Sequence, residues 1–415
     1  LSLWGATAKV GAPDTLPLAG EVKADVAILG AGYTGLAAAL ALAENGARVV
    51  VIEAETPGFG ASGRNGGQVI PGLKLDPDAL DRTFGEATTA FVGAAADTTF
   101  GLIDRLGLDC GAARTGWIQG SVKRAHVPAL AARAEQWRRR GAPVCALDGA
   151  EMASLTGSPR FVGGWRDGRA GVLHPLDYAR GLARAAQSAG AAIHGNTRAL
   201  RLTRAASGWR VTTAKGAVAA GQVLLATNGY SDGLWPGLAA TVLPTRSCQI
   251  ATEPLPETAL ARVLPGGEAV SDTRRIGVYF RRGPGGRLLI GGRGPFREPG
   301  APQDYARLIR ALGWLYPALA DVKIEHYWSG RVAMTPDHLP HVHDLAPGVT
   351  AALGYNGRGV ALATSLGLAL ARSLIEGAKP PLAPSPTRPL PMHGWHPLYG
   401  EAAISYYRLR DALEI

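Results

Sequence analysis

The chain has 415 residues, 47% of them apolar and 18% charged. That is material for a large buried core, in two domains by length, and it excludes a disordered or fibrous chain. The net charge of +10 is mostly arginine and is scattered; its one dense cluster, Arg138 to Arg140 with Arg133, falls on the polar face of a helical stretch without interleaved aromatics, so no nucleic-acid partner is expected. Cys110, Cys145 and Cys248 are far apart and form no C-x-x-C, which predicts reduced thiols in a cytoplasmic protein and neither a disulfide framework nor a zinc site. No signal peptide is expected. The longest apolar helical run, 359–371, falls short of the ~20 residues that cross a bilayer, so no transmembrane segment is expected.

Residues 1–22 read as an irregular leader. Val26 to Leu29 is an apolar, strand-like run that leads into Gly30, Gly32 and Gly35, spaced G-x-G-x-x-G. An Ala/Leu-rich helix follows to Glu44, Asn45-Gly46 stops it, and a second apolar strand, Val49 to Ile52, ends on Glu53. This is a complete βαβ unit. Gly30 permits the tight turn, Gly32 lets a pyrophosphate approach the backbone, and Gly35 lets helix and strand pack closely. The free N–H groups at the helix start face a doubly negative group, and Glu53 is placed to bond a ribose 2′-hydroxyl. A dinucleotide site is therefore expected here.

The stretch Gly58 to Val69 carries five glycines among polar residues. It predicts a loop whose backbone lies close to phosphates or to something large and flat. Residues 76–140 read mainly as helices, Thr83 to Leu106 and Val127 to Arg140, flanking a strand over Ala113 to Val122. Pro175 opens a helix to Ala189, and short strands follow at 191–194, 198–203 and 209–213. Gln222 to Ala226 is a strand ending at Thr227, Asn228 and Gly229. From 241 to 295 alternating runs joined by Gly/Pro turns predict an antiparallel sheet. Val349 to Leu353, the glycine turn 354–359 and a long helix to about Glu376 form a second strand–turn–helix unit and a second anion site. A Pro-rich linker, 379–391, leads to an aromatic C-terminal segment. The expected fold class is α/β: a Rossmann-like nucleotide domain (22–75, 150–235 and 325–378) with an inserted antiparallel-sheet substrate domain (76–149 and 236–324), then the 379–415 extension.

Four motifs occur in a telling order: Gly30 to Gly35 with Glu53, Gly60 to Gly67, Met334 to Asp337, and Gly354 to Gly359. Together they resemble the D-amino-acid oxidase-like FAD oxidoreductases, and in wording the γ-glutamylputrescine oxidoreductase branch, over roughly residues 22–378. The resemblance implies FAD. It implies that Gly30, Gly32, Tyr33, Thr34 and Gly35 hold the pyrophosphate, with Glu53 and Ala54 at the adenosine ribose. Gly60, Ala61, Ser62, Arg64, Asn65, Gly66, Gly67 and Gln68 would line the pyrophosphate and flavin edge. Ala199, placed in a strand, would meet adenine through its backbone, and Thr227, Asn228 and Gly229 would form the strand-end turn near the dinucleotide. Arg331, Gly357, Arg358, Gly359 and Val360 would border the isoalloxazine. Relatives attach flavin to a cysteine where Gly330 stands here, which implies non-covalent FAD. They carry an oxygen-activating lysine that the strand Arg287 to Ile290 lacks, which leaves oxygen or another acceptor open. They grip a small carboxylate with a lysine where Val360-Ala361 stands, so a larger amine with a remote anchor is expected rather than glycine.

The implied reaction is oxidation of an amine or amino-acid C–N bond to an imine, which water hydrolyses. Tyr279 and Arg281 on the inserted sheet are the first substrate-facing candidates, followed by Tyr355 and Trp328; each is weighed against ordinary packing. His174 near the flavin is weighed against a helix-start role. Two rival constellations are His338, His341 and His343 as a metal site, and Gly229-x-Ser231-x-Gly233 as a hydrolase nucleophile elbow. Neither displaces the flavin reading, so no metal is expected. The sequence leaves the oligomeric state open.

Overall fold

The computed structural model describes residues 2–413. Two eight-stranded sheets carry the chain. The first is centred on the strand Gly20–Leu29, which pairs in parallel with Val49–Ile52 on one side and Gly216–Leu225 on the other. Ala192–His194 and Val349–Leu353 extend it in parallel at either flank, and His341–Ala346 closes one edge antiparallel. The hairpin Arg201–Arg204 and Trp209–Thr212 pairs with the outer half of Gly216–Leu225. Strands buried on both faces read as continuous apolar runs, which is why Val26 to Leu29 and Val49 to Ile52 contain no polar side chain.

The helices Tyr33–Glu44, Pro175–Ser188 and Gly359–Glu376 pack with that sheet into one core. Gly359–Glu376 has 18 residues and a mean hydropathy of 1.3, enough by length and composition to span a membrane. Its Val360 to Gly367 stretch is wholly buried against Tyr33–Glu44 and Ala95–Leu106, which makes it a core helix. The second sheet runs, in order, Ile324–Met334, Leu243–Thr252, Arg287–Arg293, Val278–Gly283, Ala269–Asp272, Trp117–Ser121, Gly163–Asp167 and Val144–Asp148. All its pairings are antiparallel except Ala269–Asp272 with Trp117–Ser121. Gly163–Asp167 and Ile324–Met334 pair in this sheet, although they fall within or at the start of segments that the sequence reading gave to the nucleotide domain. The α/β class with a second, antiparallel-dominated sheet is what the chain adopts.

Three local expectations need correction. The leader is not irregular: Ser2 caps a helix, Leu3–Thr7, and the first strand begins at Gly20. The single helix expected over Thr83 to Leu106 is three, Pro77–Phe84, Glu86–Gly93 and Ala95–Leu106, because Gly85 takes a positive φ and Ala94 turns the chain. Ala199 lies in coil, not in a strand; the strand starts two residues later at Arg201.

Candidate active site

The two glycine turns end the strands Gly20–Leu29 and Val349–Leu353, which lie on either side of Gly216–Leu225 in the first sheet, and open two helices that pack on each other. Gly30 has φ +106°, and a Cβ there would stand 2.9 Å from the Ala226 carbonyl oxygen, so only glycine makes this turn. Gly32 is the N-cap of Tyr33–Glu44 and offers no side-chain cap; the Tyr33 N–H donates instead to Ser62 Oγ at 3.0 Å. Gly367 in the second helix lies so close to the first that its Cβ would meet the Thr34 carbonyl oxygen at 2.4 Å. Thr34 Oγ1 and Tyr355 Oη share a hydrogen bond of 2.6 Å between the turns.

Between the turns lies a cavity of ≈530 Å³. Its lining includes Gly30, Gly32, Tyr33 and Thr34 from the first glycine turn, Glu53 and Ala54, Gly60, Ala61, Ser62, Arg64 and Asn65, Ala199, Thr227 and Asn228, and Arg331, Tyr355, Gly357, Gly359 and Val360. Asn228, at φ +44°, ties the Thr227 turn to the second glycine turn by accepting the Gly354 N–H at 2.9 Å. Glu53 accepts the Ala31 N–H (2.8 Å) and the Glu55 N–H (3.0 Å), and burial raises its carboxyl above the usual range.

Several expected residues stand outside this lining. Gly35 packs against the Gly30 carbonyl and Gly229 against the Ala333 backbone. Gln68 donates to the Phe280 carbonyl from the short strand Gln68–Val69. Arg358 turns away to the second sheet, over the Trp117 ring at 4.7 Å, and donates to the Pro71 carbonyl. Its burial without a carboxylate partner lowers it to about 10. Gly66 and Gly67 face the second sheet: a Cβ on Gly66 would meet Tyr279, and one on Gly67 would meet Arg281.

The substrate candidates gather at that contact. Tyr279 is half-buried, its ring lying against the Gly66 and Gly291 backbones, and its hydroxyl pairs with Ser247 Oγ at 2.8 Å. Arg281 is 4% exposed, donates to the Gly67 carbonyl at 3.2 Å, and keeps Nε without a partner. Burial pushes it down to about 9. Gln249, also buried, donates to the Arg64 carbonyl and leaves Oε1 unpaired beside Gly66. Trp328 donates to the same Arg64 carbonyl. His174 caps the helix Pro175–Ser188, accepting the Asp177 N–H at Nδ1, with Nε2 against Thr7 Oγ1; burial lowers its pKa.

The sequence reading missed Trp4, Gln249, Arg246, Glu298 and Asn356. Arg246 and Glu298 form an ion pair that lines the cavity. Asn356, at φ +52°, accepts the Thr335 N–H and donates to Thr335 Oγ1, latching the second glycine turn to the 334–337 turn. An asparagine inside a glycine run was a readable sign of a left-handed turn. The ion pair gave no local sign, since its partners Arg246 and Glu298 lie far apart in the chain, on a strand and a loop.

The rival constellations take other roles. His341 pairs with Asp337 at 2.9 Å and His343 with the Ser385 carbonyl at 2.7 Å; among the described residues no His, Cys, Asp or Glu cluster fits a metal. Ser231 Oγ bonds Thr227 Oγ1 and the Asn228 carbonyl, with no histidine among its hydrogen-bond partners.

An elongated dinucleotide suits this cavity. Its lining includes the Glu53 carboxylate and the starts of two helices without side-chain caps, and a Cβ on Gly357 would meet nothing within 4 Å. The family model of the FAD dependent oxidoreductases, DAO, matches residues 25–373. The chain is 36% identical to the probable oxidoreductase OrdL of Rhizobium meliloti over 94% of this chain and 93% of that one. It is 32% identical to the γ-glutamylputrescine oxidoreductase of Escherichia coli over 100% of this chain and 99% of the other. Among solved structures, glycine oxidase from Geobacillus kaustophilus superposes with a TM-score of 0.74 at 24% identity, covering 89% of this chain and 99% of that one, and shares the fold. The chain belongs to the DAO family of FAD-dependent oxidoreductases, and FAD is its cofactor.

Proposed function

We propose that this enzyme oxidises the C–N bond of an amine or amino acid whose carboxylate sits on an arm remote from the reacting carbon, a γ-glutamylated amine being the leading example. FAD, when bound, accepts the hydride from the carbon next to nitrogen, and water hydrolyses the resulting imine. The observation that carries the reading is a pair of buried polar atoms without partners, Arg281 Nε and Gln249 Oε1, both at the Gly66–Gly67 backbone. A buried cation with no carboxylate is unfavourable in the free protein and is offset when an anion reaches it. Arg281 is the anchor in this reading, Tyr279 and Trp328 shape the wall, and Gln249 orients the arm. The start of the helix Gly359–Glu376, with Arg331, offsets negative charge at the flavin end. His174 holds a helix and serves the site from behind. None of the three cysteines lines the cavity, and Gly330 stands where relatives carry the attaching cysteine, so FAD is held without a covalent bond and acid precipitation should release it.

The carboxylate-bearing reading makes a concrete demand. Under anaerobic conditions γ-glutamylputrescine should bleach the flavin band, while putrescine, which lacks the carboxylate, should bleach it far more slowly. Bleaching by glycine or sarcosine alone would defeat it. A non-oxygen acceptor is the second reading, because Leu288, Leu289 and Ile290 are all buried apolar residues and no ammonium stands on that strand. Reoxidation of the bleached enzyme by a quinone much faster than by air would support it; the reverse order would remove it.

A further inference from the structure

The segment before the first strand is strapped to the helix Pro175–Ser188. The Lys9 and Val10 N–H groups donate to the Asp177 carboxylate (3.2 and 2.9 Å), Arg180 donates to the Val10 carbonyl (2.8 Å), and Gln187 donates to the Asp14 carbonyl (2.7 Å). The strap delivers Trp4 into the interior, where it is 0% exposed. Its Nε1–H donates to the Asn65 carbonyl at 2.8 Å. The Arg281 guanidinium lies over its ring at 5.2 Å. His174 and Trp328 meet that ring edge-on at 4.9 and 6.0 Å. Thr7, one turn on, pairs with His174 at 3.1 Å. Four residues singled out for the site on other grounds thus converge on one indole supplied by the leader.

The convergence has a physical consequence. Among the described residues Arg281 has one protein hydrogen bond, to Gly67, and no counter-ion, so its long side chain needs another constraint to stay in one place. A desolvated ring face supplies it, attracting the cation and leaving its N–H edge free for a ligand. The same indole pins Asn65, whose Oδ1 accepts the Gly67 N–H at 2.8 Å and so shapes the very turn Arg281 leans on. We propose that Trp4 is a positioning residue for substrate: its ring sets the Arg281 guanidinium and its N–H sets the Asn65–Gly67 turn, so the leader completes the substrate side of the site. This rests on the reading of Arg281 as a carboxylate anchor.

The test uses the full chain loaded with FAD and sodium acetate as the probe, followed by the shift it causes in the visible flavin band. Three variants are compared: Arg281→Gln, Trp4→Leu and Trp4→Phe. The expected result is that Arg281→Gln loses the acetate response, and that Trp4→Leu weakens it roughly tenfold, as loss of a desolvated cation–ring contact would. Trp4→Phe, which keeps a ring, should stay within roughly threefold of the parent. The dissociation constant for FAD, measured by quenching of flavin fluorescence, should change by less than roughly threefold in all of them. Acetate binding in both Trp4 variants equal to the parent, with Arg281→Gln still deficient, overturns the positioning role and leaves the anchor standing. Parallel loss of FAD and acetate in both Trp4 variants assigns Trp4 to packing alone and also overturns it. An unaltered acetate response in Arg281→Gln, or no response in the parent, removes the anchor and the inference with it.

Discussion

Gly35 and Gly357 belong to the two glycine turns, yet an added methyl group would act differently at each. At Gly35 a Cβ would stand 2.0 Å from the Gly30 carbonyl oxygen and 3.2 Å from Ile28 Cγ2, and the backbone cannot swing aside. Gly35→Ala is expected to lower stability by about 3 kcal/mol, with or without FAD. At Gly357 a Cβ would meet nothing within 4 Å, and the φ of +84° is the only strain, about 1–2 kcal/mol. Gly357→Ala should fold but bind FAD roughly tenfold more weakly, because the methyl occupies the cavity. Thermal melts of the apoprotein and FAD titrations separate the two; equal FAD affinity in Gly357→Ala would take that turn out of the cofactor site. Glu53 makes a pH-dependent case. Burial raises its carboxyl above 4.5. Between the unfolded value and the raised folded one, the native chain keeps a proton that the unfolded chain has released, so this residue costs stability as pH climbs through the window. FAD affinity should rise over the same window, since ribose hydroxyls donate to the ionised form. Glu53→Gln should flatten both trends relative to the parent, as paired melts and titrations followed upward in pH from the ordinary carboxylate range would read.

At the scale of elements, the site depends on two helices held at one distance. Gly367 against the Thr34 carbonyl sets that distance, and the Thr34–Tyr355 hydrogen bond sets the register of the two turns. Gly367→Val should therefore destabilise by roughly 2–3 kcal/mol and also weaken FAD binding, whereas Tyr355→Phe should cost about 1 kcal/mol of stability. Chemical denaturation with and without FAD checks both; a Gly367→Val protein with parental stability would show that the helices can part freely. The elements most legible in sequence were those whose signal is local. The βαβ unit and the Gly354 turn announce themselves by glycine spacing and unbroken apolar strands. The leader helix was not legible, because Leu3–Thr7 is five residues long and is stabilised by tertiary burial of Leu3 and Trp4, not by its own periodicity. Ser2 before an apolar pair was the one available sign of it. Arg358 was misplaced for a related reason: motif spacing fixes where a backbone turns, while the direction of a long side chain is decided by what lies opposite, here Trp117 from a distant strand.

On the scale of the whole molecule, the cavity joins parts that the chain builds separately. Gly30, Gly32 and Glu53 follow the ends of strands of the first sheet, whereas Arg246, Arg331 and Ala333 lie on strands of the second one. The strand Ile324–Met334 begins in the core of the second sheet and delivers Ala333 into the core of the first. A ligand spanning the cavity should thus stabilise both halves together, by about 2.7 kcal/mol at a hundred times its dissociation constant. The expected result in hydrogen exchange is that FAD slows the amides of 30–35, of 331–333 and of 356–360 in the same titration. Slowing restricted to 30–35 would mean that only the adenosine half of the cofactor is held where the cavity lies, and the amine chemistry assigned to the Gly357 end would lose its physical support. Slowing at all of these places, with one half-point, is what a single FAD gripped from both strand ends requires.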